Sequence, residues 1–324
     1  MRTVQTLRGE IDTAALGTTL MHEHVFVLTP DLLQNYPSGW DEQLGVEDAV
    51  ERLRRLKALG VDSIVDPTVV GLGRYIPRLL RVAEQLDLNI VAATGLYTYD
   101  TLPHQFDFVG PGTVGGGDDP MIEMFVRDIT VGIAGTGVKA AFLKCAIDRP
   151  GLVPGVERTM RAVARAHRLT GAPITVHTDA HSQSGLVVQE VLSSEGVDLE
   201  RVVIGHSGDS TDLDYLKRLA DAGSLLGMDR FGLDLLLPFE ERVATVAALC
   251  AAGYAERLVL AHDASCYIDW FPLGAPAEMA PNWHYEHISR DVLPALRERG
   301  VSDEQITTMM VANPRRYFEH TEAY

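Results

Sequence analysis

The sequence is poor in cysteine, and its three cysteines are Cys145, Cys250 and Cys266. An odd number of scattered cysteines does not form a disulfide framework, so we expect free thiols in a reducing compartment. Arg8, Glu10 and Asp12 stand where a secretory signal peptide would need an apolar run. No apolar stretch is long enough to span a bilayer. These absences predict a cytoplasmic protein that does not cross a membrane.

Positive charge is also scarce. The 324 residues include 28 basic and 45 acidic side chains, which gives a net charge of −17. Nucleic acids and anionic membrane surfaces both require a positive face on their protein partner. The charge balance therefore argues against both kinds of partner, although it does not identify a substrate.

The chain also has no stretch that resembles a linker. Short, apolar, β-branched runs alternate with amphipathic patterns of helical period along its whole length. Strands are predicted at residues 18–24, 62–67, 89–94, 138–146, 172–177, 201–206, 224–229 and 257–262. Helices are predicted at residues 46–59, 76–86, 155–170 and 238–252.

This alternation predicts the fold class. Eight strand–helix units over about 250 residues indicate an α/β protein with a (β/α)8 TIM barrel, formed by residues 1–324 as a single domain. A doubly wound open sheet is the alternative, but it usually carries a Gly-rich phosphate loop after an early strand, and none follows the first strand here. The Gly115-Gly116-Gly117 run has no strand before it, so we interpret it as a flexible loop.

The first predicted strand ends in a His-X-His pattern. Because side chains on a strand alternate between its faces, His22 and His24 should point the same way and Glu23 the opposite way. Two imidazoles on one face form half of a site for a divalent ion such as Zn, Fe or Co. Surface or core histidines are the alternative reading of this pattern alone.

Further residues of the same kind stand at the ends of other predicted strands, where barrel enzymes place their catalytic side chains. These residues are Tyr97, Lys144, His177, His206, Arg230 and Asp263. Each has an ordinary structural explanation by itself, such as a core histidine, a helix cap or a solvated charge. Together with His22 and His24 they predict a metal site at the C-terminal rim of the barrel.

Lys144 is unexpected in such a site, because an unpaired ammonium would be repelled by metal ions and is costly to bury. An amine that reacts with carbon dioxide becomes a carbamate, an anion whose two oxygens can bridge two metals. With Asp263 and a bridging hydroxide, this carbamate brings two divalent ions close to charge balance. Two metals that share a hydroxide are suited to hydrolysis.

The ordered motifs of the chain resemble those of the phosphotriesterase-like lactonases of the amidohydrolase superfamily, over residues 4–318. The motifs are Met21-His22-Glu23-His24, residues 133–140 leading to Lys144, His177-Thr178-Asp179-Ala180-His181, Ile204-Gly205-His206-Ser207-Gly208-Asp209, residues 227–234, His262-Asp263 and Asn313-Pro314. The resemblance implies a buried metal on His22, His24 and Asp263 and a more exposed metal on His177 and His206, both bridged by a carboxylated Lys144.

The same resemblance assigns further roles. Tyr97 and Arg230 match the lactonase branch, since phosphotriesterases proper usually carry tryptophan and histidine there. Asp209 resembles a proton-relay aspartate, and a cap for a helix at 211–222 is an equally open reading. The residues after Asp263, Ala264-Ser265-Cys266, depart from the family pattern, and we expect Cys266 to be a packed thiol.

Two apolar loops are expected to form the substrate pocket, at residues 231–238 and 266–283. Apolar rim residues line small-molecule sites or subunit contacts, and packing against the barrel is the plainer alternative. The expected wall residues are Leu235, Leu237, Trp270, Phe271 and Trp283. By the resemblance, they form an acyl-chain groove, and nearby surface forms a homodimer interface.

The sequence thus predicts a lactonase that hydrolyses N-acyl-homoserine lactones by a metal-bridging hydroxide, with two Zn, Fe, Co or Mn ions per chain. Tyr97 is expected to polarise the lactone carbonyl, Asp263 to shuttle the proton and Arg230 to orient the substrate or Tyr97. An organophosphate triesterase or a lactonase for other γ- or δ-lactones is the alternative. A mononuclear deaminase has no place for Lys144, and a catalytically inactive binding barrel would not need the full ligand set.

Overall fold

The structure is a computed structural model that describes residues 2–36, 39–319 and 322–324. Within these residues the strands are β1 (Thr3–Thr6), β2 (Gly9–Asp12), β3 (Thr19–Leu20), β4 (His24–Val27), β5 (Ser63–Asp66), β6 (Asn89–Gly95), β7 (Phe142–Ala146), β8 (Ile174–His177), β9 (Val202–Ile204), β10 (Leu225–Met228), β11 (Leu258–Leu260) and β12 (Ser265–Ile268).

Eight of these strands form a parallel barrel. Strand β3 pairs with β5, and β5 to β11 then pair in the order of the chain. The ring is joined by two backbone hydrogen bonds, from Met21 N to Leu260 O at 3.1 Å and from Asp263 N to His22 O at 3.0 Å. The predicted (β/α)8 barrel is therefore confirmed.

Helices surround the barrel, most of them on its outside and the short one at Ala275–Met279 in the loop at its open end. They are α1 (Pro30–Asn35), α2 (Glu42–Ala58), α3 (Ile76–Ala83), α4 (His104–Phe108), α5 (Pro120–Thr130), α6 (Pro154–Thr170), α7 (Ser184–Ser194), α8 (Leu213–Asp221), α9 (Phe239–Ala251), α10 (Ala275–Met279), α11 (Leu293–Glu298), α12 (Asp303–Thr307) and α13 (Asn313–Glu319). Segments of π-helix, Ile288–Val292 and Thr308–Ala312, precede α11 and α13. No helix in the described ranges is both long and apolar enough to cross a membrane.

Local sequence explains where the longer helices begin and end. The Asp41 side chain accepts a hydrogen bond from Leu44 N and so caps α2. Helix α6 begins with Pro154, whose fixed φ suits a first helical position, and ends at Gly171 in the left-handed region at φ 75°. These local signals agree with the predicted helices at 46–59 and 155–170.

Two cores result from the alternation of side chains along the strands. The inward-facing residues pack with one another inside the barrel and are closed below by Val4, Leu16, Tyr317 and Phe318. The outward-facing residues pack against the covering helices in a larger cluster. With the lower end filled, the open end of the barrel is the one where the strands have their C-termini.

The structure differs from the sequence prediction at several places. The predicted strand at 138–146 begins only at Phe142, because Val138 O and Ala140 N bond to Ile133 N and Asp128 O, outside the barrel. The predicted strand at 18–24 stops at Leu20, and His24 opens β4, which pairs with β12 above the rim. The antiparallel pair β1–β2 was not predicted, since its eight residues carry few apolar side chains.

Candidate metal centre

The period of the barrel strands directs the candidate side chains inward. Phe142 lies in the barrel core, so Lys144, two residues later, faces the same interior nearer the C-terminal end. Thr175 bonds Tyr317 inside the barrel at 3.0 Å, and His177 follows two residues after it. The predicted rim residues are therefore brought to one open end of the barrel.

His22, His24 and Asp263 form one cluster of metal-type ligand atoms. One atom from each lies within 4.8 Å of the others. Asp263 Oδ1 is 3.4 Å from His22 Nε2 and 3.2 Å from His24 Nε2. Both histidines face Asp263, but His22 lies in a bend and His24 opens β4, so the alternation of side chains along a single strand is not what aligns them.

His177 and His206 form a neighbouring pair. His206 Nε2 is 2.8 Å from His177 Nδ1, and the His22 and His206 rings are 5.0 Å apart. His206 and Asp263 both adopt positive φ, 60° and 56°. Such a conformation is rare for residues other than glycine and typically costs about 1–3 kcal/mol, so it persists where surrounding contacts hold it.

Lys144 lies beside these histidines and is only 1% exposed. Its Nζ is 3.5 Å from His22 Nε2. Burial lowers the pKa of the Lys144 amine to about 8, with nearby Asp263 opposing the shift. A lowered pKa increases the share of neutral amine, which is the form that reacts with carbon dioxide.

The outer nitrogens of the histidines are held by partners that were not predicted as site residues. Asp229 Oδ2 is 3.0 Å from His22 Nδ1, and its Oδ1 is 2.9 Å from His206 Nδ1. Gly227 leaves the room for this carboxylate, since a Cβ at that position would lie 2.3 Å from Asp229 Oδ2. The signals available in the sequence were the position of Asp229 at the end of a predicted strand and its place in the motif at residues 227–234.

The remaining two histidines have similar partners. His24 Nδ1 is 2.7 Å from Thr68 Oγ1, and His177 Nε2 is 2.7 Å from Asp148 Oδ2. A metal-binding histidine commonly gives its outer N–H to a carboxylate or hydroxyl, which orients the ring. A hydrogen bond therefore holds the outer nitrogen of each of the four rings, and the inner nitrogens face one another.

Burial also keeps three of these imidazoles neutral, the form that binds metal. It lowers the pKa of His22 and His206, and it lowers that of His177 to about 4 although Asp148 acts in the opposite direction. Burial alone would raise the pKa of Asp263, but its electrostatic contacts with the His22 and His206 rings, its hydrogen bond with His24 and the Arg230 guanidinium hold the pKa well below its ordinary value. The residues present therefore fit divalent metal ions in donor type, spacing and protonation state.

Arg230 joins Asp263 to Asp209. Its Nε donates to Asp263 Oδ2 at 3.0 Å and its Nη1 to Asp209 Oδ2 at 3.0 Å. Burial alone would lower the pKa of Arg230, but Asp263 and Asp209 raise it above its ordinary value. Because a guanidinium does not give up its proton, a relay from Asp263 to Asp209 through Arg230 is physically excluded.

The alternative role of Asp209, as a helix cap, is also not the one observed. Helix α8 is capped by Asp212, whose side chain accepts from Asp214 N and Tyr215 N. Asp209 instead holds Arg230 and lies 2.7 Å from Arg242 Nη1. The role that its contacts support is to position Arg230 beside Asp263.

Tyr97 stands at the edge of the ligand cluster. Its hydroxyl is 3.5 Å from His177 Nδ1 and forms a hydrogen bond with the Tyr99 hydroxyl, a residue that was not predicted. Burial raises the pKa of Tyr97 well above its ordinary value and that of Tyr99 to about 12. Both phenols are therefore protonated hydrogen-bond donors at neutral pH. The hydrogen bonds described for Arg230 go to aspartates and not to Tyr97.

A cavity of about 260 Å³ opens above the cluster. Beyond the ligand residues its wall is mainly apolar, and it includes Leu233, Leu235, Leu236, Trp270, Phe271, Met279 and Trp283. The expected wall residue Leu237 is not part of this lining. Residues 234–237 form a turn and a bend, which bring Leu236 to the cavity while the Leu237 carbonyl accepts from Arg242 Nε.

Cys266 is not part of the cavity lining. It is buried, and its Sγ is 3.2 Å from the Tyr285 hydroxyl. Burial raises the pKa of the thiol to about 12, so it is protonated and unreactive at neutral pH. These contacts agree with the expected packed thiol.

A (β/α)8 barrel with imidazoles and carboxylates gathered at the C-terminal ends of its strands is the class of protein that this fold and site define. A sequence model described as the phosphotriesterase family matches residues 2–318. A "phosphotriesterase homology protein" of Mycobacterium tuberculosis is 58% identical over 100% of both chains. An "aryldialkylphosphatase" of Saccharolobus solfataricus is 39% identical over 96% of this chain and 98% of that protein.

A solved structure gives the same result. The phosphotriesterase from Mycobacterium tuberculosis superposes with a TM-score of 0.98 at 58% identity, covering 99% of this chain and 100% of that one. The chain therefore belongs to the phosphotriesterase family, and it is a hydrolase of that family.

Proposed function

We propose that the protein is a lactonase that opens N-acyl-homoserine lactones, with hydrolysis of phosphate triesters as a side activity. The observation that carries the proposal is the position of Tyr97. Its protonated hydroxyl lies 3.5 Å from His177 Nδ1 and lines the same cavity as Asp263 and the apolar wall. A lactone bound there would present its carbonyl oxygen to a donor and its acyl chain to Trp270.

The metal centre proposed for this reaction uses the residues of the rim. His22, His24 and Asp263 would hold one divalent ion, His177 and His206 a second, and a carboxylated Lys144 would bridge them. Zn, Fe, Co and Mn all suit such a nitrogen and oxygen set. When bound, two such ions supply a water of lowered pKa and polarise the oxygen of the substrate.

The protein's own groups would carry the remaining steps. Tyr97 O–H donates to the carbonyl oxygen as it gains negative charge. Asp263, kept ionised by its surroundings, would accept at Oδ2 the proton of the attacking water and deliver it to the ring oxygen as the bond between that oxygen and the carbonyl carbon breaks. Arg230 would hold Asp263 in place and neutralise the charge around it.

The charges of the side chains that line the cavity favour an uncharged substrate. Among the described residues that line the cavity, Lys144 would be an anion once carboxylated, and Arg230, the remaining lysine or arginine, already contacts two aspartates. An anionic substrate would therefore find no uncommitted side-chain cation in the cavity wall. Lactones and phosphate triesters are both neutral and carry apolar groups, in agreement with the wall.

A phosphate triesterase is the second candidate function. The 39% identity to a protein named aryldialkylphosphatase favours it, since the same ligand residues could serve a phosphoryl centre. Attack on phosphorus would use the same site, whereas an aryl leaving group would depend less on Tyr97 and Asp263.

A pH-stat assay separates the two functions. The metal-loaded protein is tested against acyl-homoserine lactones, simple γ- and δ-lactones and aryl dialkyl phosphates, with chelator-treated protein as the control. We expect kcat/KM to be highest for acyl-homoserine lactones. Higher values for triesters would make the second candidate the main activity, and equal values for all lactones would remove the specificity for an acyl chain.

A further inference from the structure

Glu23 lies between the two histidines of the first motif, yet the proposed reaction gives it no role. It is 0% exposed and faces away from the ligand cluster. Its Oε1 accepts hydrogen bonds from His262 N at 2.8 Å and from His262 Nδ1 at 2.6 Å. Its Oε2 accepts from Ala264 N at 3.1 Å. A single carboxylate thus binds the amides of both residues that flank Asp263.

The protonation of His262 follows from the same network. His262 Nε2 is 2.9 Å from the N–H of Ile288, and it must therefore be the unprotonated acceptor nitrogen. A neutral ring then carries its proton on Nδ1 and donates it to Glu23. Three N–H groups converge on Glu23, which is within the acceptor capacity of a carboxylate.

Asp263 needs such support because of its backbone. It adopts φ 56°, a left-handed conformation that residues other than glycine seldom adopt. Its own N–H donates to His22 O at 3.0 Å. On the opposite side, the Trp283 indole N–H lies 2.9 Å from His262 O and 3.1 Å from Asp263 O. Hydrogen bonds on both sides therefore hold this turn.

We propose that Glu23 is a positioning residue, whose carboxylate, assisted by the Trp283 indole, holds the Asp263 backbone so that its side chain meets the nitrogens of His22 and His24. Residues 22–24 then account for a whole ligand group: His22 and His24 are two of its members, and Glu23 positions the third, Asp263. This inference rests on the metal centre of the proposed function.

The test measures how fast bound metal is lost. Wild type, Glu23→Gln and Glu23→Asp are loaded with Co²⁺ in bicarbonate, analysed for metal per chain, and mixed with EDTA while the visible absorbance of Co²⁺ is followed. Gln would place an N–H₂ against a backbone N–H, and Asp is one methylene too short to reach both amides. Removing an outer partner of a metal ligand typically costs about 10–100-fold in metal affinity or activity. We expect release about 10–100-fold faster in both variants.

Asp128→Asn is the matched control. Asp128 is another buried carboxylate, paired with Arg74 and the Thr94 hydroxyl and absent from the cavity lining. Its loss should lower the melting temperature while metal release stays at the wild-type rate. In the Glu23 variants kcat should fall with little change in KM, because Glu23 does not touch the substrate.

The outcomes are distinct. Wild-type release rates in both Glu23 variants, or equally fast release in Asp128→Asn, would overturn the proposal. If neither Glu23 variant folds, the same measurement is made on Trp283→Phe, which lacks the indole N–H. Faster release of Co²⁺ from this variant supports the proposal, and an unchanged release rate overturns it. Failure of the wild type to turn over lactones leaves this comparison valid, whereas failure of the wild type to bind metal removes the proposed centre and this inference together.

Discussion

Lys144 is the residue on which the proposed binuclear centre depends most. Among the described residues it is the only lysine in the cavity lining, it is buried, and the described contact of its Nζ is with His22. A buried ammonium without a carboxylate partner is destabilising, whereas a carbamate beside two cations is not. Its chemistry therefore determines how many metals the site can hold.

Lys144→Ala should reduce the metal content from two ions per chain to one or none and should abolish most activity. Elemental analysis of the purified variant measures the first effect and the lactone assay the second. Lys139→Ala, five residues earlier and outside the cavity lining, is the matched control and should keep both properties. Two metals in Lys144→Ala would contradict the bridging role.

Formation of the carbamate on Lys144 should make metal reconstitution depend on bicarbonate. Reactivation of chelator-treated wild type by Zn²⁺ should be faster and more complete in added bicarbonate than in buffer freed of carbon dioxide. Bicarbonate supplies the carbon dioxide that the Lys144 amine must take up. Identical recovery under both conditions would argue that the amine is unmodified.

Tyr97 and Tyr99 offer a paired test of lactone specificity, because their hydroxyls bond each other but Tyr97 is the one expected to reach the carbonyl. Loss of a donor at a developing oxyanion typically costs about 10²–10³ in kcat. Tyr97→Phe should show that loss on lactones and a smaller one on aryl phosphate triesters, and Tyr99→Phe should affect both substrates mildly. Equal losses on both substrates would make Tyr97 a structural residue.

At the scale of elements, the two rim loops determine which substrates fit. Residues 231–238 and 266–283 supply most of the apolar wall, and β12 fixes the second loop to the barrel by pairing with β4. Trp270 stands at the outer edge of this wall, half exposed, with its ring 6.4 Å from that of Tyr97. An acyl chain leaving the metal centre would cross it.

Acyl length should therefore control binding. Burial of one methylene contributes about 0.8 kcal/mol, close to a fourfold gain. kcat/KM should rise over the first several carbons and then level off, mainly through KM, because a remote tail binds ground and transition states alike. Trp270→Ala should flatten the rise. Leu273→Ala, in the same loop but outside the cavity lining, is the control. A wild-type kcat/KM that does not change with acyl length would mean that these loops only pack against the barrel.

At the scale of the whole molecule, buried histidines make stability depend on pH. Burial lowers the pKa of His262 to about 3 from an ordinary value of 6.5. The folded protein therefore stays neutral at this ring in a range where the unfolded chain takes up a proton. Its contribution is constant above pH 6.5 and declines as the pH falls from 6.5 towards 3, by at most about 1.4 kcal/mol per pH unit.

Chelator-treated protein should accordingly have a lower urea midpoint at pH 5 than at pH 7, with little change between pH 7 and 8 from this group. His262→Asn should reduce the slope, and His181→Asn, at an exposed position, should retain it. His22, His177 and His206 act in the same direction, so the wild-type slope should exceed that of one proton. A midpoint that is constant from pH 7 to 5 would contradict this account.

Much of this arrangement was already determined by the sequence. Apolar runs separated by amphipathic patterns specify the barrel, and a two-residue period specifies that Lys144 shares a face with Phe142 and His177 with Thr175. The C-termini of parallel strands meet at one end, so the rim residues had to be neighbours. These properties follow from local periodicity and require no knowledge of distant contacts.

Only the tertiary structure decided which atoms meet. Asp229 holds His22 across 207 positions of the chain, Arg230 separates Asp209 from Asp263, and Leu237 turns away from the cavity. Glu23 binds the amides of His262 and Ala264, which are 239 and 241 positions away in the chain. Such contacts depend on barrel closure and turn geometry. A periodic pattern specifies the face on which a side chain lies, but it does not specify the partner that the side chain meets there.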